Sequence, residues 1–294
     1  MKTIVFAKRN LLEILKDPLA SVFFIILPTV LFIALKLIIS SLGADIASVP
    51  QFEIKNLTAG MIIFSFSFIT IFVGNNFAID RDSSFLLRLK ASPMKSYNFI
   101  LGYTIPALII AFIQEVIMVI IGIIFGLNLS IHTLFFMLLI LPVSLLFIGF
   151  GLLFGCLFNF KAIGPLSSVV PTAASLLGGI FFQLALISNS NPFKIICSVL
   201  PFYPAITVGS NVLNGNYDIL LNYFIVMVYT LIFYLLSITI FSIKLRSDKI
   251  WKIISTMISI YINMTLFILT TISLLVFMIS LSLFLSKKLF TKNK

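Results

Sequence analysis

The sequence predicts an all-α, polytopic helical membrane protein with six core transmembrane helices. Three observations carry this. First, the 294 residues are 61% hydrophobic and only 10% charged, where a soluble domain carries about 25% charged residues. Too little polar surface is left to coat a globule in water, so lipid must serve as the solvent. Second, the apolar runs reach about 20 residues, the length of a spanning helix. They are apolar all round and lack the strict alternation of a barrel. Third, the basic residues sit in short clusters at the ends of those runs, as the positive-inside rule requires. The net charge of +11 therefore does not imply nucleic acid, which would need a basic face.

The elements follow in chain order. Residues 1–18 predict an interfacial amphipathic helix, not a signal peptide, because they are long and mixed in charge. Ile4, Val5, Leu11, Leu12, Ile14 and Leu15 share one arc, and Lys2, Arg9, Asn10, Glu13, Lys16 and Asp17 share the opposite one. Phe6 and Lys8 fall out of place on this wheel. Asp17 and Pro18 end the helix. A solvated leader is the alternative. Span one covers about 19–40, with Lys36 snorkelling outward. Spans two, three and four cover about 57–78, 99–126 and 133–158. "NFKAIG" reads as a tight loop, and span five covers about 165–187.

Residues 188–217 are too apolar for a free loop and too broken by Pro201 and Pro204 for a span. They predict a re-entrant region of short outer helices, covered by protein where the backbone is irregular. Span six covers about 219–243. The six-span part thus ends near residue 245, and 246–294 form a C-terminal hydrophobic extension. Residues 253–286 are too long for one upright span and too short for two. A seventh span and a re-entrant hairpin near Asn263 both stay open, and with them the side of the C-terminus.

The basic residues fix an orientation. With the N-terminus inside, the inner side receives Lys2, Lys8, Arg9, Lys16, Arg81, Arg88, Lys90, Lys95, Lys161, Lys244, Arg246, Lys249 and Lys252. The outer side receives Lys36, Lys55 and Lys194. The imbalance predicts a cytoplasmic N-terminus and places residues 80–95 in the cytoplasm.

Candidate chemistry is sparse. No phosphate-cradling loop or metalloprotease motif occurs, so no catalytic residue is predicted. Two cysteines, Cys156 and Cys197, and one histidine, His132, are too few for a metal site or disulfide framework; no cofactor is expected. Gly122 with Gly126 and Gly151 with Gly155 are small-xxx-small pairs that let helices approach closely. Pro106, Pro142 and Pro171 are candidate kinks. Gln114 and Glu115 lie inside span three. A lone carboxylate there costs about 2.5–3.5 kcal/mol on insertion scales. Glu115 is thus either a cavity or gating residue or the holder of an interhelical hydrogen bond.

The stretch "DRDSSFLLRLKASPMKSYNFILG", residues 80–102, is charged between two membrane-length runs. Phe85, Leu86 and Leu89 form an apolar strip, flanked by Arg81, Arg88 and Lys90. Asp80 and Asp82 stand at the expected helix start, where the dipole favours negative charge, and Pro93 stops it. This stretch resembles the cytoplasmic loop of type-2 ABC exporter permeases, roughly Glu-Arg-Glu-x-Gly-Thr-Leu-x-Arg-Leu-x-x-Thr-Pro. Arg81, Leu86, Arg88, Leu89 and Pro93 fall at matching places. Asp80 and Asp82 replace the glutamates, Ser84 the glycine and Ser92 the threonine. Gly102 and Gln114 sit at the family's spacing, although a lysine is common where Tyr103 stands. "LPFYPA" resembles the element before the last span. The likeness covers about residues 1–245.

The resemblance implies a half-transporter without its own nucleotide site. A second permease subunit, identical or not, and a separate nucleotide-binding ATPase would be its partners. Arg81, Phe85, Leu86, Arg88, Leu89 and Pro93 would form the coupling element that meets the ATPase; a surface turn at the headgroups is the bland alternative. The implied function is ATP-driven export of a drug-like or antimicrobial-peptide-like substrate from a bacterial cell. Abundant Ile, Phe, Asn and Lys fit an AT-rich bacterial genome. A secondary transporter or channel is the competing class, but it calls for inverted repeats or several intramembrane charges. An intramembrane enzyme would need converging titratable groups, and one histidine with one deep glutamate is too few.

Overall fold

The computed structural model describes residues 2–16, 25–42, 49–83, 96–180, 184, 187–188 and 191–246. Among them every regular element is a helix. We number these α1 (Lys2–Lys16), α2 (Leu27–Ser41), α3 (Ile54–Asp82), α4 (Ser96–Ile124), α5 (Ile131–Ile140), α6 (Ser144–Leu157), α7 (Phe160–Ser167), α8 (Val169–Leu177), α9 (Pro192–Val199), α10 (Phe202–Leu213) and α11 (Leu220–Arg246). Five stretches are long and apolar enough to cross a membrane: α3, α4, α5 with α6, α7 with α8, and α11. The count is six if α9 and α10, bent by 76° at their junction, form one broken span. That bend falls where Pro201 stands, since proline cannot continue the helical hydrogen bonding.

Several boundaries differ from the sequence reading. Of span one the described residues include the 15-residue α2, and its expected start at residues 19–24 lies outside the described residues. Span two runs past Ala78 to Asp82, so Asp80 and Arg81 belong to its last turn and do not open a new helix. Asp80 and Arg81 stay helical there with protein partners on α1, α4 and the end of α6. "NFKAIG" is no loop: Asn159 precedes a helix that starts at Phe160. Pro142 stands in a 3-10 turn, Leu141–Val143, that interrupts the α-helix of span four. Pro106 sits inside the continuous α4. The expected end of span five near residue 187 is replaced by a helix end at Leu177. The C-terminal extension beyond residue 246 lies outside the described residues.

α3 is the centre of the bundle. Of its most apolar stretch 83% is buried, against 22% for α11. In lipid there is no hydrophobic drive between helices, so close van der Waals contact has to hold them. Glycine provides it between α3 and α6. A Cβ at Gly151 would lie 2.7 Å from the Thr70 carbonyl oxygen, and one at Gly155 would lie 3.1 Å from that of Gly74. Thr70 Oγ1 adds a hydrogen bond across this seam to the Phe147 carbonyl at 2.9 Å. Cys156 is buried beside it and its thiol donates to the Ser237 carbonyl of α11 at 3.6 Å. Gly122 packs close to Thr58 of α3. Gly126 corrects the expectation. It lies beyond the end of α4, at φ 103°, with nothing within 4 Å of an added Cβ. It makes a turn that favours glycine, not a helix contact.

α1 packs along the start of α4, and its two faces are not those of the wheel. Phe6, Ala7, Asn10 and Ile14 are buried. Ile4, Val5, Leu12 and Leu15 are exposed. The misplaced Phe6 is the anchor: its ring meets Phe99 and Tyr103 edge-on, with centroids 5.9 and 5.2 Å apart. It lies against the bare backbone of Gly102, where any Cβ would strike the ring. Asn10, expected on the polar arc, donates to the Gly102 carbonyl at 3.1 Å.

Candidate functional site

The polar residues of the bundle gather at the two ends of α3. At its C-terminal end Asp80 is the hub. Arg9 of α1 reaches it with both guanidinium nitrogens, at 3.1 and 3.2 Å. The Tyr103 hydroxyl of α4 donates to it at 2.6 Å. Arg9 also holds Glu13, one turn along α1, at 2.6 Å. A buried carboxylate is tolerable when its lone pairs are filled by charged or strong donors, and here three donors converge. Tyr103 thus occupies the place where the resemblance expects a lysine, and supplies a neutral donor.

Arg81 turns the other way. Its guanidinium donates to the carbonyls of Gly155, Cys156 and Phe158. These close the C-terminal end of α6, where carbonyls lack helical partners and carry the negative end of the helix dipole. Arg81 was expected on the rim of a partner-facing strip; the structure uses it as a cap. Consecutive residues on a helix point about 100° apart, which lets Asp80 and Arg81 tie α3 to different neighbours. Phe85, Leu86, Arg88, Leu89 and Pro93 lie outside the described residues, in the segment that follows immediately.

Beneath the Asp80 hub, between α1, α3 and α4, lies a cavity of about 350 Å³. Arg9, Glu13, Asn76 and Asp80 line its polar side; Phe72, Ile79 and Pro106 line the apolar one.

At the N-terminal end of α3, beside Glu53 and Lys55, the bonds between helices are neutral. Asn56 donates to the Pro50 carbonyl at 2.7 Å and accepts from Asn214 at 2.8 Å. A second cavity of about 260 Å³ opens there, between α3, the end of α8 and α10, with Asn56, Tyr203, Ser210 and Asn211 in its wall. Nearby, His132 Nδ1 lies 2.7 Å from the Tyr217 hydroxyl.

Glu115 is fully buried in α4, and neither carboxyl oxygen has a hydrogen-bond partner among the described residues. It lines neither of these two cavities. Among the described residues the interhelical hydrogen bond expected of it is absent. Gln114 beside it is buried too. Among the described residues no group of three or more His, Cys, Asp or Glu could hold a metal ion.

The sequence pattern of the ABC-2 type transporter membrane domain matches residues 1–213, from α1 through α10. The chain belongs to the ABC-2 type transporter family. It is the permease subunit of an ABC transporter, a multi-pass membrane protein whose work is transport rather than catalysis, and the family implies an ATPase partner. No curated protein matches the chain by sequence. The ABC-2 match includes both α3 and the segment 84–95 that follows it. It also includes Arg9, Asn10 and Tyr103, which sequence reasoning did not single out as a unit. Arg9 and Asn10 were assigned to a solvated arc, and Tyr103 was noted as a departure. An acid at residue 80, directly after an apolar run, was the one available signal that a cation must come to meet it.

Proposed function

We propose that this ABC-2 permease works in an export system of a bacterial cell membrane. It moves a drug-like or antimicrobial-peptide-like substrate outward, powered by a separate ATPase chain, and pairs with a second permease subunit. In this reading the N-terminus and the C-terminal end of α3 face the cytoplasm, supported by the excess of basic residues on that side. Residues 84–95 are then the contact with the ATPase, their apolar strip docking and their basic rim steering the approach.

The observation that carries the reading is the double tie at Asp80 and Arg81. A push on residues 84–95 arrives at the end of α3, and α3 is bonded there to α1, α4 and α6. Closure of the ATPase would therefore tilt a group of helices together. Packed elements of this kind shift between discrete arrangements and do not deform continuously.

The test replaces Phe85 and Leu89 with Ser in the chain co-expressed with its ATPase. Insertion should be intact, while ATPase capture falls or transport stops with hydrolysis retained. A double variant that captures its ATPase and transports like the parent would remove the coupling role. In the same cells a cysteine at Ser92 should resist an impermeant thiol reagent; labelling from outside would reverse the orientation.

A further inference from the structure

We propose that the cavity between α1, α3 and α4 is a binding site for an ammonium group carried on an apolar body. This rests on the export reading only in placing the cavity on the cytoplasmic, loading side. The charge inventory selects the ligand. Among the described residues Arg9 is the single cation in the wall, and Glu13 and Asp80 are the two anions. Arg9 is already shared between both carboxylates, so the described wall carries one negative charge in excess. Arg81, the nearest further cation along α3, is turned away to the end of α6.

The two acids are not equivalent. Asp80 receives three donors and sits only 8% exposed. Glu13 receives one and keeps 54% of its side chain exposed. Glu13 therefore has acceptor capacity left for an incoming N–H. An anion would meet two carboxylates for one occupied guanidinium. A neutral head would cover Glu13 without satisfying it, at the cost of desolvating a charge. An ammonium supplies three donors and the missing charge.

The rest of the wall suits the body of such a ligand. Ile14, Phe72, Ile79 and Pro106 give an apolar surface next to the acids. The volume of about 350 Å³ falls at the lower end of small-molecule sites, roughly 300–1,000 Å³. α1 also exposes an apolar face, with Ile4, Val5, Leu12 and Leu15. One chemistry fits two sources: an exported cationic amphipath, or the headgroup of an aminophospholipid.

The experiment uses the full chain in nanodiscs of phosphatidylcholine alone, without the ATPase. Tritiated dodecylammonium is the probe, dodecanol the uncharged competitor, and empty discs the blank. Saturable binding above the blank is expected, with dodecanol failing to compete. Glu13→Gln should weaken it about fivefold, as removing one partly exposed charge partner does, and Glu13→Asp should restore most of it. Ile79→Trp, which fills the cavity from a position 44% exposed, should abolish saturation with Glu13 intact. Competition by added phosphatidylethanolamine would identify a lipid headgroup as the occupant; its failure to compete would identify the exported amphipath. No saturable binding, or unchanged binding in a Glu13→Gln chain that melts like the parent, would overturn the site. Saturable binding in a chain that does not export with its ATPase would overturn the export reading and leave the site standing.

Discussion

The two ends of α3 are held by different chemistry. At its C-terminal end two charged residues reach out to an arginine, a tyrosine and three main-chain carbonyls. At its N-terminal end Asn56 exchanges neutral hydrogen bonds with Asn214 and Pro50. Charge-assisted bonds are roughly twice as strong as neutral ones and fail harder when one partner is removed, because the other is left charged and desolvated. The charged end thus ties α3 firmly to its neighbours, and the amide end can exchange partners with water at little cost.

The largest effect should come from breaking the charged end. Asp80→Ala takes its acceptor from the buried Tyr103 hydroxyl and one of its two carboxylate partners from Arg9. It should cost about 2–3 kcal/mol and lower the melting temperature of the purified chain. A cysteine placed at the buried Ala7 of α1 should become reactive in the same variant. If Ala7→Cys stays protected, Phe6 alone holds α1 and the ion pair is dispensable.

A second variant sharpens the contrast between an acid with partners and one without. Glu115→Leu removes a buried carboxyl that has no hydrogen bond among the described residues. Since burial of an unpaired polar group costs about 1–3 kcal/mol, this variant should be more stable than the parent in a thermal melt. A loss of stability would show that Glu115 has a partner in the assembled protein. Transport lost at raised stability would place the carboxyl in the working cycle.

The smallest effect belongs to the amide end. Asn214→Ala should cost about 0.5–1 kcal/mol, since the two hydrogen bonds its side chain gives to Asn56 and Ser210 are neutral and exposed. Thermal melting read against Asp80→Ala measures the comparison directly. Equal losses would mean that both ends are equally rigid.

Composition alone determined much of this protein. With 61% hydrophobic residues the backbone must close its hydrogen bonds inside each segment, so helices were the expected answer. Prolines at 142 and 201 located breaks, because a missing N–H breaks a helix wherever it stands. The small-residue pair at Gly151 and Gly155 signalled a close seam, though not that α3 would fill it. The family, too, was legible, since its motif is local in sequence.

What the sequence could not supply was every contact between distant residues. Phe6 looked misplaced on a helical wheel because a wheel knows one partner, the membrane, and α1 has two. Asp80 looked like the start of a helix because its neighbours are polar; only Arg9, 71 residues away, explains why it ends one instead. Arg81 could be read as a docking charge until the carbonyls of α6 came within its reach. Gly126 matched a packing motif by spacing, and its backbone angle took it out of the helix. Polar groups in a membrane protein choose partners by proximity in three dimensions, where few alternatives exist, and that choice is made by the packing of the whole bundle.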